Sequence, residues 1–288
     1  MDKKIKVLKN NPSLEGMARM VPDVVFSTAT GVELKMQILT PWSVGDKVGN
    51  EKRPLIVFLQ GSAWTFPDVY YEIPQLAQFA KMGYVVATIT HRNCLEGHPA
   101  SAFLQDAKTA IRFLRKNSEE YEIDAERVCF WGTSSGGNTS LLVALTGDDP
   151  RYKTDEYKDY SDKVAVAVDC FGPTDLLTLS RYIDTVNEEG KELFNNLAGG
   201  ALSSKEELMK EISPLLIIEK NKDYPPILIL QGDADAVVPY SESENMFNAL
   251  LDNNYDAEMI CVENAPHEGS FWSHELIEEI KSFIKRKL

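Results

Sequence analysis

From residue 53 to the end of the chain, short apolar runs alternate with stretches of helical periodicity. "RPLIVFLQGS" reads as a buried strand closing in Gly-Ser, and "IPQLAQFAKMG" follows with helical spacing and a terminal glycine. "YVVATITH" is again a strand, after which "ASAFLQDAKTAIRFLRKNS" sets Phe103, Leu104, Ala107, Ile111 and Leu114 on one helical face. "RVCFWG" and "SSGGNTSLLVALTG" repeat the strand–helix pair. "KVAVAVDCFG", "PPILILQGD" and "AEMICVENA" read as further strands, with "SESENMFNALLDNN" and "SHELIEEIKSFIKRKL" as helices between and after the last two. Upstream, "DVVFSTATGVELKMQILTP" predicts two strands around a Thr-Gly turn. Such alternation requires right-handed crossovers onto a mostly parallel sheet. The expectation is an α/β fold with a central sheet of about eight strands and helices on both faces. Residues 174–222 break the alternation. They are polar and helical, and are expected to form a small cap insertion over one end of the sheet. With no internal repeat, low-complexity tract or linker, residues 1–288 read as a single domain.

Composition narrows the roles open to such a domain. The formal net charge of the 288 residues is -14, which repels phosphate backbones and anionic lipid. Nucleic-acid and membrane partners are therefore not expected. Cys94, Cys129, Cys170 and Cys261 are widely spaced, and the last three sit in apolar, strand-like runs. They read as buried free thiols in a reducing compartment. The start "MDKKIKVLKNNPSLEGM" lacks the apolar core of a signal peptide, so a cytoplasmic location is the expectation.

A parallel sheet presents ligands with the loops beyond the C-terminal ends of its strands, and the chemically suggestive residues follow strands. Gly132-Thr133-Ser134-Ser135-Gly136 is a G-x-S-x-G between a strand and a helix. A nucleophile at the tip of so sharp a turn needs very small residues two places to either side. Centring on Ser134 puts Gly132 and Gly136 there, whereas centring on Ser135 would put Thr133 in one of them. Ser134 is therefore the candidate nucleophile, and Ser140 is only a helix residue. A serine hydroxyl needs a positioned base. Of the four histidines, His91 and His98 precede Ser134 and His274 opens the last helix. His267, in "ENAPHEGSFW", directly follows the final strand. An acid must then fix the imidazole. "LILQGDADAVVPYSES" offers Asp235, with Asp233 as the alternative. A developing oxyanion also needs donors. The backbone N–H groups of Ser62 or Ala63, in "VFLQGSAWTFPD", and of Ser135 are candidates.

Together, "LIVFLQGSAWT", "YVVATITHRN", "AFLQDAKTAIRFLRKNSEEYEIDAERVCFWGTSSGG", "ILILQGDADAVVP" and "APHEGSFW" resemble the carboxylesterases of the α/β-hydrolase superfamily. The resemblance covers roughly residues 50–288 and lies within the hormone-sensitive-lipase and bacterial feruloyl/acetyl esterase-like (BD-FAE-like) group. It implies Ser134 as nucleophile, Asp235 as acid and His267 as base. It also implies a small-molecule ester substrate, and no cofactor or metal. The chain departs from the family pattern at the oxyanion loop, where His-Gly-Gly is usual and Gln60-Gly61-Ser62 stands instead.

Trp64, Phe66, Tyr70 and Tyr71 follow that loop and could wall a pocket, with Gln60, Gly61 and Trp64 the candidate substrate contacts. Short-chain or aryl acyl esters are the expected substrates, acylated carbohydrates among them. A serine peptidase or amidase of the same fold would use the same residues, and a non-catalytic binding protein is the rival from another class. An edge strand near the C-terminus could pair two subunits into a homo-oligomer.

Overall fold

A computed structural model describes residues 5–42, 52–186 and 188–288. Its centre is one eight-stranded sheet in the order β1-β2-β4-β3-β5-β6-β7-β8. The strands are β1 (Ala18–Ser27), β2 (Leu34–Pro41), β3 (Arg53–Leu59), β4 (Val85–Ile89), β5 (Ile123–Thr133), β6 (Val166–Cys170), β7 (Ile227–Gly232) and β8 (Ala257–Val262). β2 pairs antiparallel with both β1 and β4, while every pairing from β4 through β3 to β8 is parallel. The expected mostly parallel α/β sheet is what the chain forms.

The central strands are apolar on both sides because helices cover both. One face of the sheet packs on α2 (Ala102–Lys116) and α3 (Ser135–Leu145), the other on α1 (Ile73–Lys81) and α8 (His274–Lys287). Phe103, Leu104, Ala107, Ile111 and Leu114 are all buried, as the helical spacing requires. α7 (Tyr240–Asp252) connects β7 to β8.

The 174–222 segment folds into α4 (Leu176–Val186), α5 (Glu188–Ala198) and α6 (Glu206–Glu211), with one short 3-10 turn between α5 and α6 and another after α6. It is less polar in effect than its composition suggests. Phe194, Leu197, Met209 and Ile212 are buried in the same hydrophobic cluster as Leu55, Val57 and Phe103. Glu242 of α7 holds the start of α4, where its Oε2 accepts the N–H groups of Thr174 and Asp175 at 2.8 and 2.7 Å.

The cysteines need one correction. Cys94, Cys129 and Cys170 are buried, but Cys261 is exposed. β8 is an outer strand of the sheet, so an apolar run there does not guarantee two covered faces. Among the described residues no helix is long and apolar enough to cross a membrane.

Candidate active site

β5 and α3 meet at Ser134, which has φ 51° and ψ -121°. A non-glycine residue in that region is strained and persists only where its surroundings hold it. The Ser134 N–H donates to the Cys170 carbonyl at 2.8 Å, and its carbonyl accepts the Asn138 N–H at 3.0 Å. The flanking glycines are required sterically. A Cβ on Gly132 would lie 2.0 Å from the Gly136 carbonyl oxygen, and one on Gly136 would lie 2.1 Å from that of Leu59.

The loop after β8 carries His267 to this turn, with Nε2 2.9 Å from Ser134 Oγ. Its Nδ1 lies 2.7 Å from Asp235 Oδ2. The ring of Phe171 packs 4.7 Å from the imidazole and is itself backed by Phe271, ring to ring at 4.8 Å. With the proton of a neutral imidazole on Nδ1, facing the carboxylate, Nε2 is the acceptor for the Ser134 hydroxyl.

Asp235, in the loop after β7, has a fully buried side chain. Its Oδ1 accepts the N–H groups of Val237 and Val238 at 2.8 and 2.9 Å, and its Oδ2 also accepts from Gln231 Nε2 at 2.8 Å. Burial pushes the carboxyl upward, but the hydrogen bonds from His267 and from the Val238 and Val237 N–H groups outweigh it and hold Asp235 below its ordinary value. Asp233 points elsewhere and accepts the Asn264 N–H. Of the other histidines, His91 is buried with Nδ1 on the Arg92 carbonyl, and the His274 side chain is 82% exposed on α8.

The loop after β3 lies directly on the elbow, since a Cβ on Gly61 would be 2.5 Å from that of Ser134. The Gly61 N–H donates to Thr133 Oγ1 at 2.8 Å, and the Ser62 N–H to Ser135 Oγ at 2.9 Å. The Ala63 N–H has no acceptor among the described residues. Ser135 is the first residue of α3, where the N–H groups lack intrahelical acceptors. Gln60 braces the loop by accepting the Asp68 N–H. Trp64 does not wall an open pocket. It is 4% exposed, with its ring 6.2 Å from that of Phe103 and 6.1 Å from that of Phe194. Phe66, Tyr70 and Tyr71 are exposed.

Beside the His267 loop is a cavity of about 340 Å³, walled by Tyr71, Glu72, Trp131, Glu268 and Trp272. Burial, and then the charge of Glu268, push Glu72 up to about 7. Glu268 accepts the Trp272 indole N–H. Sequence reasoning did not single out Thr133, Phe171, Gln231, Glu72 or Glu268. Thr133 and Glu268 adjoin Ser134 and His267 in the sequence, and Gln231 lies in the "LILQGD" stretch before Asp235, but nothing in the sequence gave them a role.

A serine on a strained strand-to-helix turn, at the edge of a sheet in this order, defines the α/β-hydrolase fold. A model of the BD-FAE family matches residues 44–250, and the chain belongs to that family. The chain is similar to Esterase LipC of Mycobacterium tuberculosis, 24% identical over 220 residues, covering 74% of this chain and 52% of that protein. A probable isoprenylcysteine alpha-carbonyl methylesterase of Oryza sativa subsp. japonica is also 24% identical, covering 81% and 56%. The chain thus spans about half the length of these relatives. Among solved structures, a truncated carbohydrate esterase from gut microbiota superposes with a TM-score of 0.78 at 26% identity, covering 96% of this chain and 99% of that one. An esterase of Thermogutta terrifontis matches the fold with a TM-score of 0.74 at 22% identity, covering 96% of each chain.

Proposed function

We propose that the protein is a serine carboxylic-ester hydrolase. The observation that carries this reading is the continuous hydrogen-bonded chain Asp235–His267–Ser134, at 2.7 and 2.9 Å. His267 takes the proton of Ser134 as its oxygen attacks the ester carbonyl, and Asp235 stabilises the imidazolium. The N–H groups of Ala63 and Ser135 receive the oxyanion. The alcohol leaves with the proton from His267, and water releases the acid by the same route.

Small acyl groups suit the site, because Trp64 and Phe194 occupy the space beside the oxyanion loop as packed core. Acylated carbohydrates are the substrate class to try first, in keeping with the carbohydrate esterase among the similar structures. Residues 1–288 act as one domain in this reading, with the 174–222 segment as its helical cap. The cluster shared by α4–α6 with β3 and α2 supports this.

Hydrolysis of p-nitrophenyl esters from acetate to decanoate, with Ser134→Ala alongside, tests the proposal. Turnover that falls with chain length and disappears in the variant is expected. Full turnover in Ser134→Ala would remove Ser134 as nucleophile, and no turnover on any ester would remove the esterase reading.

A further inference from the structure

The two residues on either side of Ser134 carry hydroxyls, and both hydroxyls are tied to the loop after β3. Thr133 Oγ1 accepts the Gly61 N–H and Ser135 Oγ accepts the Ser62 N–H, at 2.8 and 2.9 Å. Both residues are nearly inaccessible, at 1% and 2% exposed. Two consecutive N–H groups of the loop are thereby consumed by the elbow, and the next one, on Ala63, is left without an acceptor among the described residues. The backbone then bends sharply, with φ of 50° at Ala63 and 58° at Trp64. Two adjacent non-glycine residues in the left-handed region do not hold that shape unaided. The other ties of this loop are the Thr65 N–H and hydroxyl, both on the Ser62 carbonyl at 3.0 and 2.6 Å, the Cys94 N–H on the Trp64 carbonyl at 3.1 Å, and the Asp68 N–H on Gln60 Oε1.

We propose that Thr133 and Ser135 form a hydroxyl clamp that pins the oxyanion loop to the nucleophile turn and so presents the Ala63 N–H to the substrate carbonyl oxygen. This rests on the esterase reading above and deepens it. Ser62 then contributes to the clamp with its N–H and not to the oxyanion hole. The two hydroxyls are positioning residues: they touch the loop, not the substrate. Their effect falls on the transition state because a donor aimed at a developing charge is useful only when it is already in place. Ground-state ester binding, with a carbonyl oxygen of low charge, depends on it much less. The same clamp accounts for the departure from His-Gly-Gly. A serine at position 62 is tolerated because its N–H is held by the elbow, which leaves the oxyanion to the next residue.

The test compares Thr133→Val, which keeps the shape and removes the acceptor, with Ser135→Ala and with Thr133→Ser, which restores the hydroxyl. kcat and KM are measured on p-nitrophenyl acetate, together with inhibition by a trifluoromethyl ketone, whose adduct with Ser134 places an oxyanion in the same hole. Thr133→Val and Ser135→Ala are each expected to lower kcat about tenfold with KM within about twofold, the scale of a weakened oxyanion donor. They should weaken the ketone by a similar factor, while Thr133→Ser keeps most of the wild-type kcat. Thermal unfolding checks that each variant folds, and Ser135→Ala carries the test if Thr133→Val does not. Wild-type kcat in the folded variants, a loss confined to KM, or a Thr133→Ser as impaired as Thr133→Val would each overturn the clamp. An active wild type with indifferent variants removes the clamp alone, whereas an inactive wild type removes the esterase reading and the clamp with it.

Discussion

Asp235 and Asp233 lie two residues apart on one loop, yet their carboxylates face different partners. Asp235 is buried against His267 and accepts three further hydrogen bonds, whereas Asp233 accepts the Asn264 N–H. An acid that fixes the imidazole tautomer is worth about 10⁴ in kcat where it has been removed from such a site. Asp235→Asn is therefore expected to lower kcat by about 10³-fold or more, and Asp233→Asn to change it by less than about threefold, since surface changes away from a site are nearly neutral. Steady-state kinetics on one short ester decides it, and the reverse ranking would move the acid to Asp233.

At the level of elements, the β5–α3 turn depends on glycines that leave no space. Gly132→Ala would set a methyl 2.0 Å from the Gly136 carbonyl oxygen, a backbone clash that no side-chain rotation relieves. This variant should lose activity together with thermal stability, unlike Ser134→Ala, which should lose activity alone. Circular-dichroism melts run beside the assay separate the two cases. The start of α4 depends on a distant side chain, because Glu242 accepts the Thr174 and Asp175 N–H groups and the Thr174 hydroxyl. Removing it strands buried donors, which costs about 1–3 kcal/mol. Glu242→Ala is expected to lower the melting temperature by roughly 2–4 °C for each kcal/mol lost. An unchanged melt would show that this cap does not depend on Glu242.

Across the whole molecule, a buried ion cluster on one face of the sheet and a half-buried carboxyl on the other set the two faces apart. On one face Lys108 and Arg112 of α2 share Asp162, at 2.7 and 2.8 Å, with all three side chains fully buried. Burial pushes Lys108 below its ordinary value against the pull of Asp162. Asp162→Asn would leave two buried cations without their carboxylate, a loss of about 3–5 kcal/mol, read by chemical denaturation. On the other face, Glu72 has a folded value of about 7, against 4.5 for an ordinary glutamate. Between those values the native state keeps a proton that the unfolded chain has released, so stability falls as pH rises through that window. Glu72→Gln removes the titration. Its melting temperature should exceed that of wild type by more at pH 8 than at pH 5, and a gap independent of pH would contradict the assignment.

The sheet was legible because burial on both faces imposes apolar runs, and crossover helices impose a 3.6-residue period between them. β3, β4, β6, β7 and α2 fall where "RPLIVFLQGS", "YVVATITH", "KVAVAVDCFG", "PPILILQGD" and "ASAFLQDAKTAIRFLRKNS" indicate. The steric demand of a strand-to-helix turn is local, so the glycines around Ser134 could single it out from Ser135. Partners that meet only through folding left no such trace. Nothing in "HRNCLEG" says that Cys94 is buried, and nothing in "AEMICV" says that Cys261 is exposed on an outer strand. Trp64 turns inward at a bend where both Ala63 and Trp64 have positive φ, which no local sequence pattern marked. The loop after β3 illustrates the division. Its sequence supplied two candidate N–H groups, those of Ser62 and Ala63, but Ser135, more than 70 residues away along the chain, occupies that of Ser62, just as Thr133 occupies that of Gly61. Local chemistry determined which elements form and which serine is presented; which donor stays free was decided by tertiary structure, because hydrogen bonds between distant segments exist only once the sheet has brought them together.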